Sequence, residues 1–272
     1  MRRNASACGR ALIRVLFVGD VVGNPGRRAL SEALEKTIDR RKIDFTIVNV
    51  ENAAGGFGLT REIYDELKKL PIDVFSSGNH IWDRRDFLPS LDELEDVLRP
   101  ANYPKGNPGH GSIVKKTASG VPVAVLNLQG QVFMTNIDSP FRIADEMLPA
   151  LKKETGVIFV DFHAEATSEK NALGWYLDGR VSAVVGTHTH VPTADETIRP
   201  GGTAYLTDVG MTGAYEGVIG FSKDRVVEKF LSQTPRSFET AKRDVRLSSV
   251  VVEIDEKSGR AESIERWQVR ID

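Results

Sequence analysis

Five short apolar, β-branched runs, each followed at once by a polar side chain, constrain this chain more than any other feature. IRVLFVG (13–19) leads into Asp20, FTIVNV (45–50) into Glu51 and Asn52, and DVFSSG (73–78) into Asn79 and His80. VIFVDF (157–162) leads into His163, and VSAVVGT (181–187) into His188 and His190. Apolar runs without alternation mark strands buried on both faces, as in parallel sheets covered by helices. Helical spacing separates the first runs. Ala29, Leu30, Ala33, Leu34, Thr37 and Ile38 recur within 27–41, and Ile63, Leu67 and Leu70 follow Thr60, a residue suited to cap a helix. The order predicts an α/β layered domain.

Further strands are expected at VPVAVLNL (121–128) and TAYLTD (203–208). Ser139-Pro140 opens a helix to about Glu154, with Pro in the first turn, and 222–232 reads as another helix. Residues 245–255 and 262–270 form a terminal hairpin across EKSGR. These closely spaced strands predict a second sheet packed on the first. No linker, repeat or composition break interrupts the chain, so one domain is expected over 13–272. Residues 1–12 are expected to be a flexible extension, because their basic residues lack the apolar stretch of a signal peptide.

The chemistry is placed by the strand ends. In open α/β sheets the carboxyl ends of the strands line one edge, and sites form there. Asp20, Glu51, Asn52, Asn79, His80, His163, His188 and His190 converge on that edge without any long-range coincidence. If the segment after 187 stays extended, the spacing of two puts His188 and His190 on one side. The fifth histidine, His110, lies between glycines and reads as a surface loop residue. The single cysteine, Cys8, excludes an internal disulfide framework and a Cys-based zinc cluster. The donors are therefore oxygen and nitrogen, which suit manganese, iron or zinc and are too rich in imidazole for a plain magnesium or calcium site. Eight candidates exceed one four-coordinate ion. Two divalent ions sharing a carboxylate fit better, and such a pair can clamp both oxygens of a displacement at phosphorus.

The motifs GD (19–20), EN (51–52), GNH (78–80), His163 and GTHTH (186–190) resemble those of the calcineurin-like metallophosphoesterases. GDVVGNPGR, ENAAGG, GNHIWD, RPANYP, DFHAEATSEK, GTHTHVPTAD and TDVGMTG resemble its YmdB-type branch, from Ile13 to the end of the chain. The resemblance implies a fold of two packed mixed β-sheets flanked by helices, a four-layer α/β/β/α sandwich. It implies one metal held by Asp20, Glu51, Asn52 and His190, and a second by Glu51, Asn79, His163 and His188, with Glu51 bridging. His80 then matches the general acid. Two departures stand out. Val22 occupies the place where the wider superfamily carries a metal-binding His, as in the branch. Ile81 occupies the place of an acid that orients the catalytic imidazole; Asp83 is the first acid nearby, and either it or another group orients His80, the simpler reading of Asp83 being a helix-start residue.

Two divalent ions against two carboxylates leave a positive pocket, suited to an anionic phosphodiester. A hydroxide bridging the metals would attack phosphorus while His80 protonates the leaving oxygen. The resemblance points to 2′,3′-cyclic nucleotides as substrate, with iron or manganese before zinc as metals. The glycines of 55–58 and 210–213 serve tight turns on the simpler reading; on the other, they admit a nucleotide whose base stacks on Phe57 or Tyr215. The alternative function is a metal- and nucleotide-binding regulatory protein with slow turnover. A metal-dependent amidohydrolase is disfavoured, because its H-x-H pair belongs on the first strand. A net charge of −2 argues against a duplex nucleic acid partner. No apolar run reaches the roughly 20 residues of a membrane span. The cytoplasm is the expected compartment, and a homo-oligomer stays open.

Overall fold

A computed structural model describes residues 12–271. The expected N-terminal extension lies outside them except for Leu12, which opens the first strand. In chain order the elements are β1 (Leu12–Val18), α1 (Gly23–Arg41), β2 (Phe45–Asn49), α2 (Arg61–Leu67), β3 (Val74–Ser76), β4 (Ser112–Lys116), β5 (Pro122–Gln129), α3 (Pro140–Glu154), β6 (Ile158–His163), α4 (Thr167–Tyr176), β7 (Ala183–Thr187), β8 (Thr197–Ile198), β9 (Ala204–Leu206), β10 (Gly213–Ala214), α5 (Lys223–Ser232), β11 (Val245–Asp255) and β12 (Ala261–Ile271).

In one sheet β1, β2 and β3 run parallel, and β11 pairs antiparallel to β1 while also pairing with β10 and β12. In the other, β5, β6, β7 and β9 run parallel between antiparallel edge strands β4 and β8. Alternation along each strand sorts the core into layers. Ile13, Val15 and Phe17 of β1 face Val123, Val125 and Phe159 of the other sheet. Phe17 and Phe159 stack across that interface at 5.4 Å. The opposite faces take the helices. Leu16 and Val18 pack on Leu30 and Leu34 of α1, and Leu126 and Val160 pack on Leu148 of α3 and Leu173 of α4. This is the expected four-layer α/β/β/α sandwich.

Local signals place the helices. Thr60 accepts the Ile63 amide at the start of α2, and α1 ends at Lys42 in a left-handed conformation. Four elements escape the sequence, among them the two-residue strands β8 and β10, too short to leave a pattern. The strand β4 is a half-buried edge without a continuous apolar run. The helix α4 turns Glu169 and Lys170 inward beside Leu173, which erases its apolar period.

Candidate metal centre

The structure brings all eight selected residues to one end of the sandwich. Asp20, Glu51 and Asn52 stand in the loops after β1 and β2, His163 is the last residue of β6, and His188 and His190 follow β7. Asn79 and His80 lie on a short 3₁₀ turn, Asn79–Trp82, after β3. Two groups of donors form. Glu51, His163 and His188 make one, and Asp20, Glu51 and His190 the other, each with ligand atoms within 4.8 Å of one another. The amides complete them. Asn79 Oδ1 is 3.1 Å from His163 Nε2, and Asn52 Oδ1 is 3.3 Å from His190 Nε2. Glu51 belongs to both groups, so the arrangement can hold two cations with one shared carboxylate.

Neighbouring side chains settle which nitrogen each imidazole presents. Thr187 gives its proton to Asp161 Oδ1 at 2.7 Å, so it accepts from His163 Nδ1 at 3.0 Å, leaving His163 Nε2 bare. The Ile219 carbonyl can only accept, so the 2.9 Å contact with His190 Nδ1 leaves His190 Nε2 bare. Glu165 Oε2 lies 3.2 Å from His188 Nε2, leaving His188 Nδ1 bare. Outer partners of this kind are worth roughly 10–100-fold in metal affinity. Glu165 is about half exposed, so Glu165→Ala should weaken the second group by about tenfold, measured by competition with a metallochromic chelator. Unchanged affinity would exclude a role in orienting His188.

The site fits a cation on three observations. Asp20 Oδ1 and Glu51 Oε1 are buried without a hydrogen-bond partner. Glu51 Oε1 also lies 3.0 Å from His163 Nε2. His163 Nε2 and His188 Nδ1 face each other 3.0 Å apart with bare lone pairs. Such spacing matches adjacent ligands at right angles on an ion with bonds of about 2.1 Å. A Cβ at Gly78 would meet His163 Nε2 at 2.3 Å and Glu51 Oε2 at 2.4 Å, so only glycine leaves the cradle open.

Titration follows the same charge deficit. Burial works against ionised Glu51, yet the adjacent His163 holds its carboxyl down to about 2. Burial likewise opposes a charged His163, but Glu51 and Asp20 push it up to about 8. Burial, with the His163 charge, drives His188 down to about 3. Burial raises Asp20, helped by Glu51 and opposed by His163. With no cation bound, a proton on His163 Nε2 offsets the two carboxylates, and a bound cation would take its place.

Three expectations are corrected. The segment after Thr187 is not extended, because His188 and His190 both adopt positive φ, 96° and 64°. The His188 amide donates to Asp20 Oδ2, and Thr189 donates to Asp208 through its amide and hydroxyl, which turns the chain. The two rings therefore reach different donor groups rather than one side. Asp83 is no helix-start residue: its Oδ2 lies 2.8 Å from His80 Nδ1 at the end of the 3₁₀ turn. Tyr215 is outside the cavity, with its hydroxyl on the Met211 carbonyl and the Arg246 guanidinium over its ring. His110 is exposed, as expected. Sequence reasoning missed Glu165, Thr187, Asp161 and Asp208. Only Glu165, two residues after His163, carried a local signal.

Glu51, Asn52, His188 and His190 line a cavity of about 580 Å³ that also reaches Phe57, His80 and Glu165. The model of the YmdB-like protein family matches residues 16–267. The chain belongs to this YmdB-like family. Across 260 residues the YmdB-like chain is 49% identical to the 2′,3′-cyclic-nucleotide 2′-phosphodiesterase of Bacillus subtilis (strain 168), covering 96% of this chain and 98% of that protein. A phosphatase structure from Mycoplasma pneumoniae superposes with a TM-score of 0.90 at 33% identity, covering 96% of this chain and 95% of its own. The structure of a hypothetical protein from Thermus thermophilus gives 0.89 at 42%, covering 96% and 100%. The YmdB-like sandwich is the calcineurin-like metallophosphoesterase fold, and the family and donor set together point to divalent metal. Among the described residues, no helix is long and apolar enough to cross a membrane.

Proposed function

We propose that this chain is a dinuclear metal-dependent phosphodiesterase that hydrolyses small phosphodiesters, 2′,3′-cyclic nucleotides foremost. The observation that carries the reading is Glu51, shared between two complete donor groups at the floor of a cavity that also contains His80. The activity of the Bacillus subtilis relative supports the substrate class. Asp20, Glu51, Asn52 and His190 hold one ion, and Glu51, Asn79, His163 and His188 hold the other. Two divalent ions, iron or manganese before zinc, supply Lewis acidity toward the phosphate oxygens and activate water near neutral pH.

The rest of the chemistry falls to His80. Its Nδ1 faces Asp83, which fixes the ring and leaves Nε2 for proton transfer to the departing oxygen. Its amide donates to Glu51 Oε2 at 3.1 Å, tying the acid to the shared carboxylate. The functional unit spans 13–272, since both sheets supply ligands. The proposed compartment is the cytoplasm, in keeping with a single cysteine.

The test is His80→Ala with 2′,3′-cyclic AMP. The substitution preserves the His80 amide and hence the Glu51 contact, so metal content should stay at two ions per chain. Turnover should fall by roughly 10²–10⁴. Full activity in the variant overturns the acid assignment. Full activity of chelated, metal-free protein overturns the reading as a whole.

A further inference from the structure

One wall of the cavity takes no part in the chemistry above. Phe57 meets the His80 ring edge-on at 5.1 Å and stacks on Phe221 at 5.5 Å, with 24° between their planes. Phe221 continues the row to Phe238 at 5.2 Å. Val191 and Ile219 also line the cavity, 56% and 48% exposed. Ile219 has φ 45°, a left-handed conformation that a β-branched residue adopts only under constraint. Its carbonyl holds His190, so the strained turn joins the metal floor to the apolar wall.

We infer that this wall is a nucleobase subsite and that Phe57 is its specificity-determining residue, half-buried at the cavity and backed by Phe221, which is itself only 8% exposed. The inference rests on the proposed phosphodiesterase reading. In that reaction the water oxygen bonds to phosphorus, the bond between phosphorus and O2′ breaks, and O2′ takes the proton of His80. The carbon bearing O2′ is bonded to C1′, which carries the base. The base therefore sits beside the acid, where Phe57 begins the aromatic row. A phenyl ring such as Phe57 at the end of the row reads no base edge; it accepts any base through its π-face and discriminates against a sugar without one.

The experiment compares 2′,3′-cyclic AMP with ribose 2′,3′-cyclic phosphate, which has the same reacting ring and no base. Wild type should prefer the nucleotide in kcat/KM by at least about tenfold, mainly through KM. Phe57→Ala should reduce that preference by about tenfold, and Phe57→Leu should reduce it while keeping the apolar contact. A parallel loss on both substrates, carried by kcat, would mean the ring only supports the wall and would overturn the inference. If wild type turns over neither compound, the phosphodiesterase reading fails separately. Calorimetric binding of adenosine 3′-monophosphate then decides the subsite: about tenfold weaker binding by Phe57→Ala supports it, and equal binding overturns it.

Discussion

Gly78→Ala should leave a folded chain that cannot assemble the metal centre. The new Cβ would lie 2.2 Å from His163 Cδ2, 2.3 Å from its Nε2 and 2.4 Å from Glu51 Oε2. None of these atoms can retreat cheaply. His163 is buried and held through Thr187 to Asp161, which also accepts from Asn49 and Ser76 of the other sheet. Glu51 is buried and bonded to the His80 amide. The backbone at Gly78 has φ −148°, so the penalty is steric rather than conformational. The methyl would displace the shared carboxylate and one imidazole together, and both donor groups lose a member. We expect metal analysis to find far less than one ion per chain, turnover below detection, and a circular dichroism spectrum like that of wild type. Two retained ions would show that the cradle tolerates a methyl and that Glu51 is not confined as described.

Lys170→Met should destabilise the protein by about 3–5 kcal/mol. Lys170 and Asp208 are both buried, with Nζ 2.6 Å from Asp208 Oδ2 and 2.8 Å from the Thr187 carbonyl. Removing the ammonium leaves a carboxylate in the interior without its cation, the costly way to break a buried pair. Asp208 also anchors the site, because Oδ2 accepts the Thr189 amide and hydroxyl and Oδ1 accepts the Gly210 amide. Those bonds hold His188 and His190 in their left-handed conformations, which cost roughly 1–3 kcal/mol each. Urea unfolding of metal-free protein isolates the effect, with Tm expected to drop by about 10 °C. The double variant Lys170→Met/Asp208→Asn should recover part of the loss, since it removes the stranded charge. A single-variant cost below about 1 kcal/mol would mean that water reaches Asp208.

The layers and the site residues are readable in the sequence because burial leaves a periodic imprint. The runs of β1, β2, β6 and β7 are mostly apolar, and connectivity forces the next residue onto the sheet edge. The imprint fails where burial and polarity part company. Glu169 and Lys170 are buried in α4 because the Gln131 and Val132 amides satisfy Glu169 and Asp208 pairs with Lys170. The helix therefore carries no apolar stripe to detect. Asp83 escapes for a related reason: spacing places it one turn from His80, but the short 3₁₀ turn decides that its carboxylate meets the ring.

The residue types at the strand ends, by themselves, determined that oxygen and nitrogen donors would gather on one edge, without sulfur. Local chemistry suffices for that, since each donor is one or two residues from its own strand. Only the tertiary structure decided how the donors divide into two groups around Glu51, how Asp208 bends the chain between His188 and His190, and how Phe57, Phe221 and Phe238 come to line one wall. Those relations join distant segments, such as Asp20 and His188, 168 residues apart. Periodicity records which face of an element is buried, and carries no information on which distant face it meets.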